Sequence, residues 1–322
     1  MGWITTGFAA TCQVFTNSQK YKLSFEVCCA DLKTQEDCFS SRFQRLEKQS
    51  FIETKEMTTN QLEQLCQKTC ILVESVADFI RGEVGKVGVE KIETKALNSL
   101  VSYVDKTAER QLVAGLSELL PGSNFLTEEE TVEQAEGEFQ WVIDPLDGTT
   151  NFLHQLPYFA VSVALRQHGE IVLGIVYEVN RQECFYAWKG GGAWLNGQRI
   201  HTSATTALAD SLIATGFPYR DFDTMQRYLE IMLHLMKSTR GLRRYGAAAV
   251  DLAYVACGRY EAFFEYGLAA WDVAAGILLV QEAGGRVSDF DGGDDYLFGG
   301  RMLATGAGVY EEMLGAMKNE SS

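Results

Sequence analysis

A layered α/β fold, with sheets covered by helices, is the architecture this sequence predicts. Three observations carry that expectation. An apolar stripe at helical spacing runs from Leu62 to Ile80. Four strand-like runs follow one another between Phe139 and Trp188. Beyond Ser211, strand-like and helix-like segments alternate towards the C-terminus, the pattern of sheets packed under helices.

Taken in order, residues 1–56 stand apart from the rest. They hold Cys12, Cys28, Cys29 and Cys38, half of the eight cysteines, and no sustained period of two or 3.6 residues. Seven basic and seven acidic residues cancel there, so the whole net charge of −15 falls on residues 57–322. Ordering a backbone costs about 1–2 kcal/mol per residue, and this stretch shows little patterned burial to offset it. A disordered or non-native extension over 1–56 is therefore expected, ahead of a single domain over 57–322. That domain divides into a half over about 57–205 and a second half over about 206–322.

Thr59 or Asn60 can cap the first helix, whose inward face carries Leu62, Leu65, Cys66, Thr69, Cys70, Val73, Val76, Ala77 and Ile80. A second helix is expected from about Asp105 to Leu120, ended by Pro121–Gly122. Strands are expected at Phe139–Asp144, Phe159–Gln167, Glu170–Glu178 and Glu183–Trp188, with His168–Gly169 as a hairpin turn. Gly190–Gly192 and Asn196–Gly197 read as further turns. In the second half the strands are Ser211–Thr215, Glu261–Phe264 and Arg286–Asp289. Helices are expected at Thr224–Lys237, Gly246–Ala256 and Trp271–Ala283, with a last one at the C-terminus.

Composition narrows the function. A hydrophobic share of 46% and a charged share of 22% are those of an ordinary globular chain. No run of about 18 apolar residues occurs, so no spanning helix is expected, and the N-terminus lacks the basic start of a signal peptide. The chain reads as cytoplasmic. A net charge of −15 repels nucleic acid and anionic lipid, and neither is an expected partner. The cysteines form no Cys-x-x-Cys pair, and the four histidines are scattered, which argues against structural zinc.

Chemistry concentrates in Trp141–Val142–Ile143–Asp144–Pro145–Leu146–Asp147–Gly148–Thr149–Thr150–Asn151–Phe152. An apolar strand delivers Asp144, and Pro145, which has no N–H to donate, should stop the ladder. The turn can then return Asp147 beside Asp144, with the Leu146 carbonyl in the same space: hard oxygen donors of the kind magnesium favours. Gly148 allows close backbone approach, and Thr149–Thr150 can open a helix whose free amides hold phosphate. Alone, such a turn is more often a plain acidic turn. Two further acidic elements change the balance: Glu128–Glu129–Glu130, and Asp272 in Trp271–Asp272–Val273–Ala274–Ala275–Gly276. Ala274, Ala275 and Gly276 permit close packing of the helix that would carry Asp272.

Those three motifs, in that order and separation, resemble the inositol monophosphatase family of the lithium-sensitive, magnesium-dependent phosphatases, over about Met57 to Met317. The resemblance implies an alternating α/β/α/β/α sandwich, a homodimer, two to three Mg2+ ions and inhibition by lithium. It implies that Glu128, Asp144 and the Leu146 carbonyl hold one ion, while Asp144, Asp147 and Asp272 hold a second. Glu128 would also help a third. Thr149, supported by Asp105, would orient the attacking water. Asp147 and the amides of Gly148 and Thr149 would meet the phosphate, and Glu265 and the amide near Ala248 the substrate hydroxyls. Lys95 stands one residue off the spacing of the family's lid-loop lysine. Four carboxylates, Glu128, Asp144, Asp147 and Asp272, carry the charge that two magnesium ions would neutralise.

The activity this implies is hydrolysis of inositol monophosphate or a similar small polyol or sugar phosphate by metal-activated water. Same-fold alternatives act on adenosine 3′,5′-bisphosphate, fructose 1,6-bisphosphate or histidinol phosphate. A non-catalytic docking protein on this fold is the alternative of another class, and the intact ligand set argues against it. Arg243–Arg244 fits either an anion contact or an ion pair. Gly190–Gly192 looks like a phosphate cradle but reads better as a β-turn.

Overall fold

The computed structural model describes residues 13–16, 19–22, 56–88, 93–96, 99–217 and 225–318. The chain divides into two units, Met1–Lys55 and Glu56–Ser322. In the first, β1 (Gln13–Thr16) and β2 (Gln19–Lys22) pair antiparallel. Apart from that hairpin, the expectation for residues 1–56 lies outside the described residues.

The second unit begins with α1 (Thr59–Glu83), capped by Thr58, whose side chain accepts from the Gln61 amide while Gln61 reaches back to the Thr58 amide. The cap therefore sits just before the Thr59–Asn60 pair suggested by sequence, because the reciprocal partner is Gln61. The expected stripe from Leu62 to Ile80 is buried, with Cys70 at its half-buried edge. A hairpin of β3 (Glu93–Ala96) and β4 (Ser99–Val101) follows. Lys95 lies in β3, and its side chain is outside the described residues. Helix α2 (Tyr103–Leu119) starts from a second capping box, Ser102 with Asp105.

Seven strands form the first sheet: β5 (Asn124–Thr127), β6 (Phe139–Asp147), β7 (Ala160–Gln167), β8 (Glu170–Glu178), β9 (Glu183–Trp188), β10 (Gly192–Leu195) and β11 (Gln198–Ile200). They lie in sequence order, antiparallel throughout except for the parallel β5–β6 pair. Pro145 does not end β6, as sequence suggested. Pairing with β7 breaks after Asp144↔Ser162 and resumes at Asp147↔Ala160. Proline is tolerated at such an irregularity because no ladder N–H is required there.

The turn at Gly190–Gly192 is an anion cradle that this chain fills itself. The Gly190 and Gly192 amides donate to the Glu282 carboxylate, both at 2.8 Å.

The second sheet runs β13 (Gly241–Arg243), β12 (Leu212–Thr215), β14 (Ala262–Tyr266), β16 (Arg301–Thr305) and β15 (Arg286–Ser288), with β12 parallel to both its neighbours. Between the sheets lie α5 (Ala248–Ala256) and α6 (Ala270–Glu282), packed on Val142, Ala160 and Val176 on one side and on Phe263 and Ala304 on the other. Helices α1 and α2 cover the outer face of the first sheet; α4 (Met225–Ser238) and α7 (Tyr310–Lys318) cover that of the second. The layers are α/β/α/β/α, as the resemblance implied. Both faces of β7 and β8 are covered, hence their nearly unbroken apolar runs.

The small residues of α6 act as expected. A Cβ on Gly276 would stand 2.5 Å from Leu252 of α5, and one on Gly174 of β8 would stand 2.7 Å from the Ala275 carbonyl. This close packing brings Asp272, in the first turn of α6, towards the end of β6.

Candidate active site

The short helix α3 (Thr149–Leu153) turns the chain directly after β6. Gly148 makes the turn at φ 91°, and a Cβ there would stand 3.0 Å from the Tyr158 carbonyl and 3.1 Å from Phe159. Glycine is required on both counts. Asn151 ties the turn down, its side-chain amide donating to the carbonyls of Tyr158 (2.7 Å) and Tyr245 (2.8 Å).

Three aspartates meet near this turn, and each has an oxygen held by a backbone amide. Asp144 accepts from the Leu146 amide at 2.9 Å, Asp147 from Ala249 at 2.7 Å and Asp272 from Ala269 at 2.7 Å. The structural role of Asp272 at the start of α6 and its place in the cluster therefore coexist. Burial pushes the Asp144 carboxyl well above the usual carboxylate range, and the charges of Glu128, Asp147 and Asp272 push it further. Burial also raises Asp147, to about 7, although amides at the start of α5, including that of Ala249, favour its ionised form. Glu128 follows Thr127, which pairs with Ile143, and its amide donates to the Ile143 carbonyl at 3.2 Å, so it emerges beside Asp144.

The hydroxyl of Thr149 lies within donating distance of Asp105 Oδ1 (2.9 Å) and of the Leu146 carbonyl (3.0 Å). Asp105 is itself fixed, since its Oδ2 accepts from the Ser102 amide and hydroxyl at 2.8 and 2.7 Å. Burial raises the Asp105 carboxyl as well, against the pull of those bonds. Glu265, on β14, is buried so close to the backbone that a Cβ on Gly216 would stand 2.0 Å from its carboxylate. Burial and the charges of Asp251 and Asp272 raise it well above the usual range, while Arg244 works in the opposite direction. The amide side of Ala248, expected to meet substrate, is at the α5 terminus that faces Asp147.

Among the described residues, no group of three or more His, Cys, Asp or Glu side chains stands within ligating reach of one point. The structure thus shows a convergence of negative charge rather than a finished coordination shell. Its donors are all oxygens, carboxylates with a backbone carbonyl, and they fit a hard divalent cation by type and by charge. A shallow cavity lined by Gln281, Arg286, Ser288, Tyr296 and Tyr310 lies at the far end of α6 from Asp272 and includes none of these carboxylates.

The model of the inositol monophosphatase family matches residues 58–321. The chain belongs to that family. A Nus factor SuhB from Pseudomonas aeruginosa is 43% identical over 245 residues, covering 74% of this chain and 90% of that protein. An inositol-1-monophosphatase from Mesorhizobium japonicum is 42% identical over 241 residues, covering 74% and 91%. The crystal structure of the extragenic suppressor protein suhB from Bartonella henselae superposes with a TM-score of 0.74 at 37% identity, over 79% of this chain and 98% of that one. The match begins after residues 1–57 and takes in every residue assigned above.

Beside these carboxylates, sequence reasoning passed over Asp251 and Glu109. Asp251 is buried on α5, accepts from the Tyr158 hydroxyl at 2.7 Å and is raised by burial to about 8. A charged residue inside the apolar run Ala248–Ala256 is the signal that could have found it. Glu109 sits on the buried face of α2 with Asp105.

Proposed function

We propose that this chain is a magnesium-dependent phosphomonoesterase acting on inositol monophosphate or a similar small polyol or sugar phosphate. The observation that carries the reading is the burial of Asp144 among the charges of Glu128, Asp147 and Asp272, which together with that burial raise its carboxyl. Such a cluster favours divalent cations. Family membership and a 42% identical relative named inositol-1-monophosphatase point to the same chemistry.

Glu128, Asp144, Asp147, Asp272 and the Leu146 carbonyl would hold two to three magnesium ions. Bound magnesium would supply the positive charge and Lewis acidity that phosphate-ester hydrolysis needs. The rest is done by the chain's own groups. With its proton directed to Asp105, the Thr149 hydroxyl keeps lone pairs for accepting from a water and so aims that water's oxygen at phosphorus. Ser102 fixes Asp105, and through it the hydroxyl. The amides of Gly148 and Thr149 bind the phosphate oxygens, and Glu265, with the backbone near Ala248, selects among substrate hydroxyls. The protein would act as a homodimer, as the resemblance implies.

Phosphate release from inositol 1-phosphate, glycerol 2-phosphate, fructose 1,6-bisphosphate, histidinol phosphate and adenosine 3′,5′-bisphosphate tests this reading. Preference for inositol 1-phosphate is expected, and Glu265→Ala should flatten it. Strong preference for either bisphosphate, or no hydrolysis of any of the five, contradicts it. A second reading has one specific support, the 43% identical relative named a Nus factor. That reading is a non-catalytic regulatory docking role on this fold, and absence of every hydrolytic activity in a folded protein would favour it.

A further inference from the structure

Glu109 has no share in the chemistry above, yet its carboxylate is 0% exposed and the structure surrounds it with donors. Oε1 accepts from the hydroxyl of Thr127 at 3.0 Å and from the amide and hydroxyl of Thr131, both at 2.7 Å. Oε2 accepts from the amide of Glu129 at 2.7 Å. Every one of these donors lies within three residues of Glu128. The opposite side of the segment is held by the first sheet, where the Glu128 amide donates to Ile143, next to Asp144.

A buried carboxylate costs several kcal/mol unless its oxygens are satisfied, and an apolar side chain would fill the same space more cheaply. Only an acceptor-only group suits four converging donors. What Glu109 specifies is therefore the path of residues 127–131. It also links that path to Asp105, which lies four residues earlier on the same buried face of α2. One helix thus carries the group that holds Thr149 and the group that holds the Glu128 segment.

We propose that Glu109 is a positioning residue which, by latching Thr127, Glu129 and Thr131 onto α2, sets Glu128 beside Asp144 for divalent-cation binding. This rests on the metal-dependent reading of the site. Glu109→Gln isolates the latch: the amide oxygen can keep the Oε1 contacts, but the NH2 then faces the Glu129 amide, donor against donor. Thr131→Val is the milder second variant, removing one hydroxyl while leaving the carboxylate in place.

The test is Mn2+ binding to the full-length, metal-stripped chain, followed by electron paramagnetic resonance of the free ion, with hydrogen exchange read in parallel. Support partners of metal ligands typically change affinity on the order of 10- to 100-fold, and that weakening is expected for Glu109→Gln, with a smaller one for Thr131→Val. Amide exchange should rise across 128–131 and stay at the wild-type rate across the rest of α2. Wild-type Mn2+ affinity in both variants overturns the proposal. So does a weakening accompanied by faster exchange throughout α2, which would show a purely structural role. A wild-type chain that binds no Mn2+ instead sinks the metal-dependent reading itself, and the role of Glu109 with it.

Discussion

Glu183 and Asp147 are both buried carboxylates of the first sheet, and they have been treated in opposite ways. Glu183, at the start of β9, meets Arg259 through two bonds of 2.6 and 2.7 Å, with the same guanidinium lying over the Tyr254 ring. Burial pushes the Glu183 carboxyl up, but the paired Arg259 outweighs it and holds it below the usual range. Asp147, at the end of β6, is raised to about 7 by burial, with the charges of Asp251 and Glu128 adding to the effect. The first arrangement is complete as it stands. The second is costly without added positive charge, and such a cost is kept where function uses it.

The largest expected effect comes from removing charge at the costly end. Asp147→Asn should lower turnover roughly 10²- to 10³-fold, the loss of a few kcal/mol of charge stabilisation. Steady-state rates near wild type would show that Asp147 is not part of the machinery. Thr149→Ala should come next, lowering kcat by about tenfold or more while leaving KM close to unchanged, because it removes water orientation rather than binding. A change confined to KM would contradict that role.

The stability of the metal-free protein sharpens the contrast. The contribution of Asp147 is fully present below its unfolded value of 3.8, is lost as pH rises to the folded value of about 7, and is flat above. Asp251 extends the same loss to about pH 8. In chelator, thermal melts should therefore show Asp147→Asn gaining on wild type between pH 4 and 7, with magnesium narrowing the gap. A pH-independent difference would mean that Asp147 ionises normally. Glu183→Gln is the smallest and opposite case. It should destabilise by about 2 kcal/mol, as expected for hydrogen bonds to a charged group, and leave turnover unchanged. Lost activity at unchanged melting temperature would reverse the assignment of the two regions.

The same contrast marks how far the sequence could be read. Strands β6 to β9 were legible because turn residues bound them and both faces are apolar, and α1 was legible from its stripe. Caps moved by a residue or two because Gln61 and Asp105 choose their partners reciprocally. β16 was passed over: its five residues pair with β14 across a long chain separation, and no local signal marks it. At the site, the motif around Asp144 was readable as an acidic turn, but its meeting with Asp105 spans 44 residues and with Ala249 spans 102. Only the resemblance suggested the first of those contacts. Nothing local distinguishes Glu109 from a solvated helix glutamate until its four donors are seen.

The central claim is that these crowded carboxylates exist to hold a divalent cation for phosphate-ester hydrolysis. Phosphate release from inositol 1-phosphate, measured in chelator and then with magnesium restored, tests it most directly. The account predicts negligible release in chelator, recovery with magnesium, and suppression when calcium, which prefers a larger and looser shell, is added. Full release in chelator-treated, metal-free buffer would contradict it.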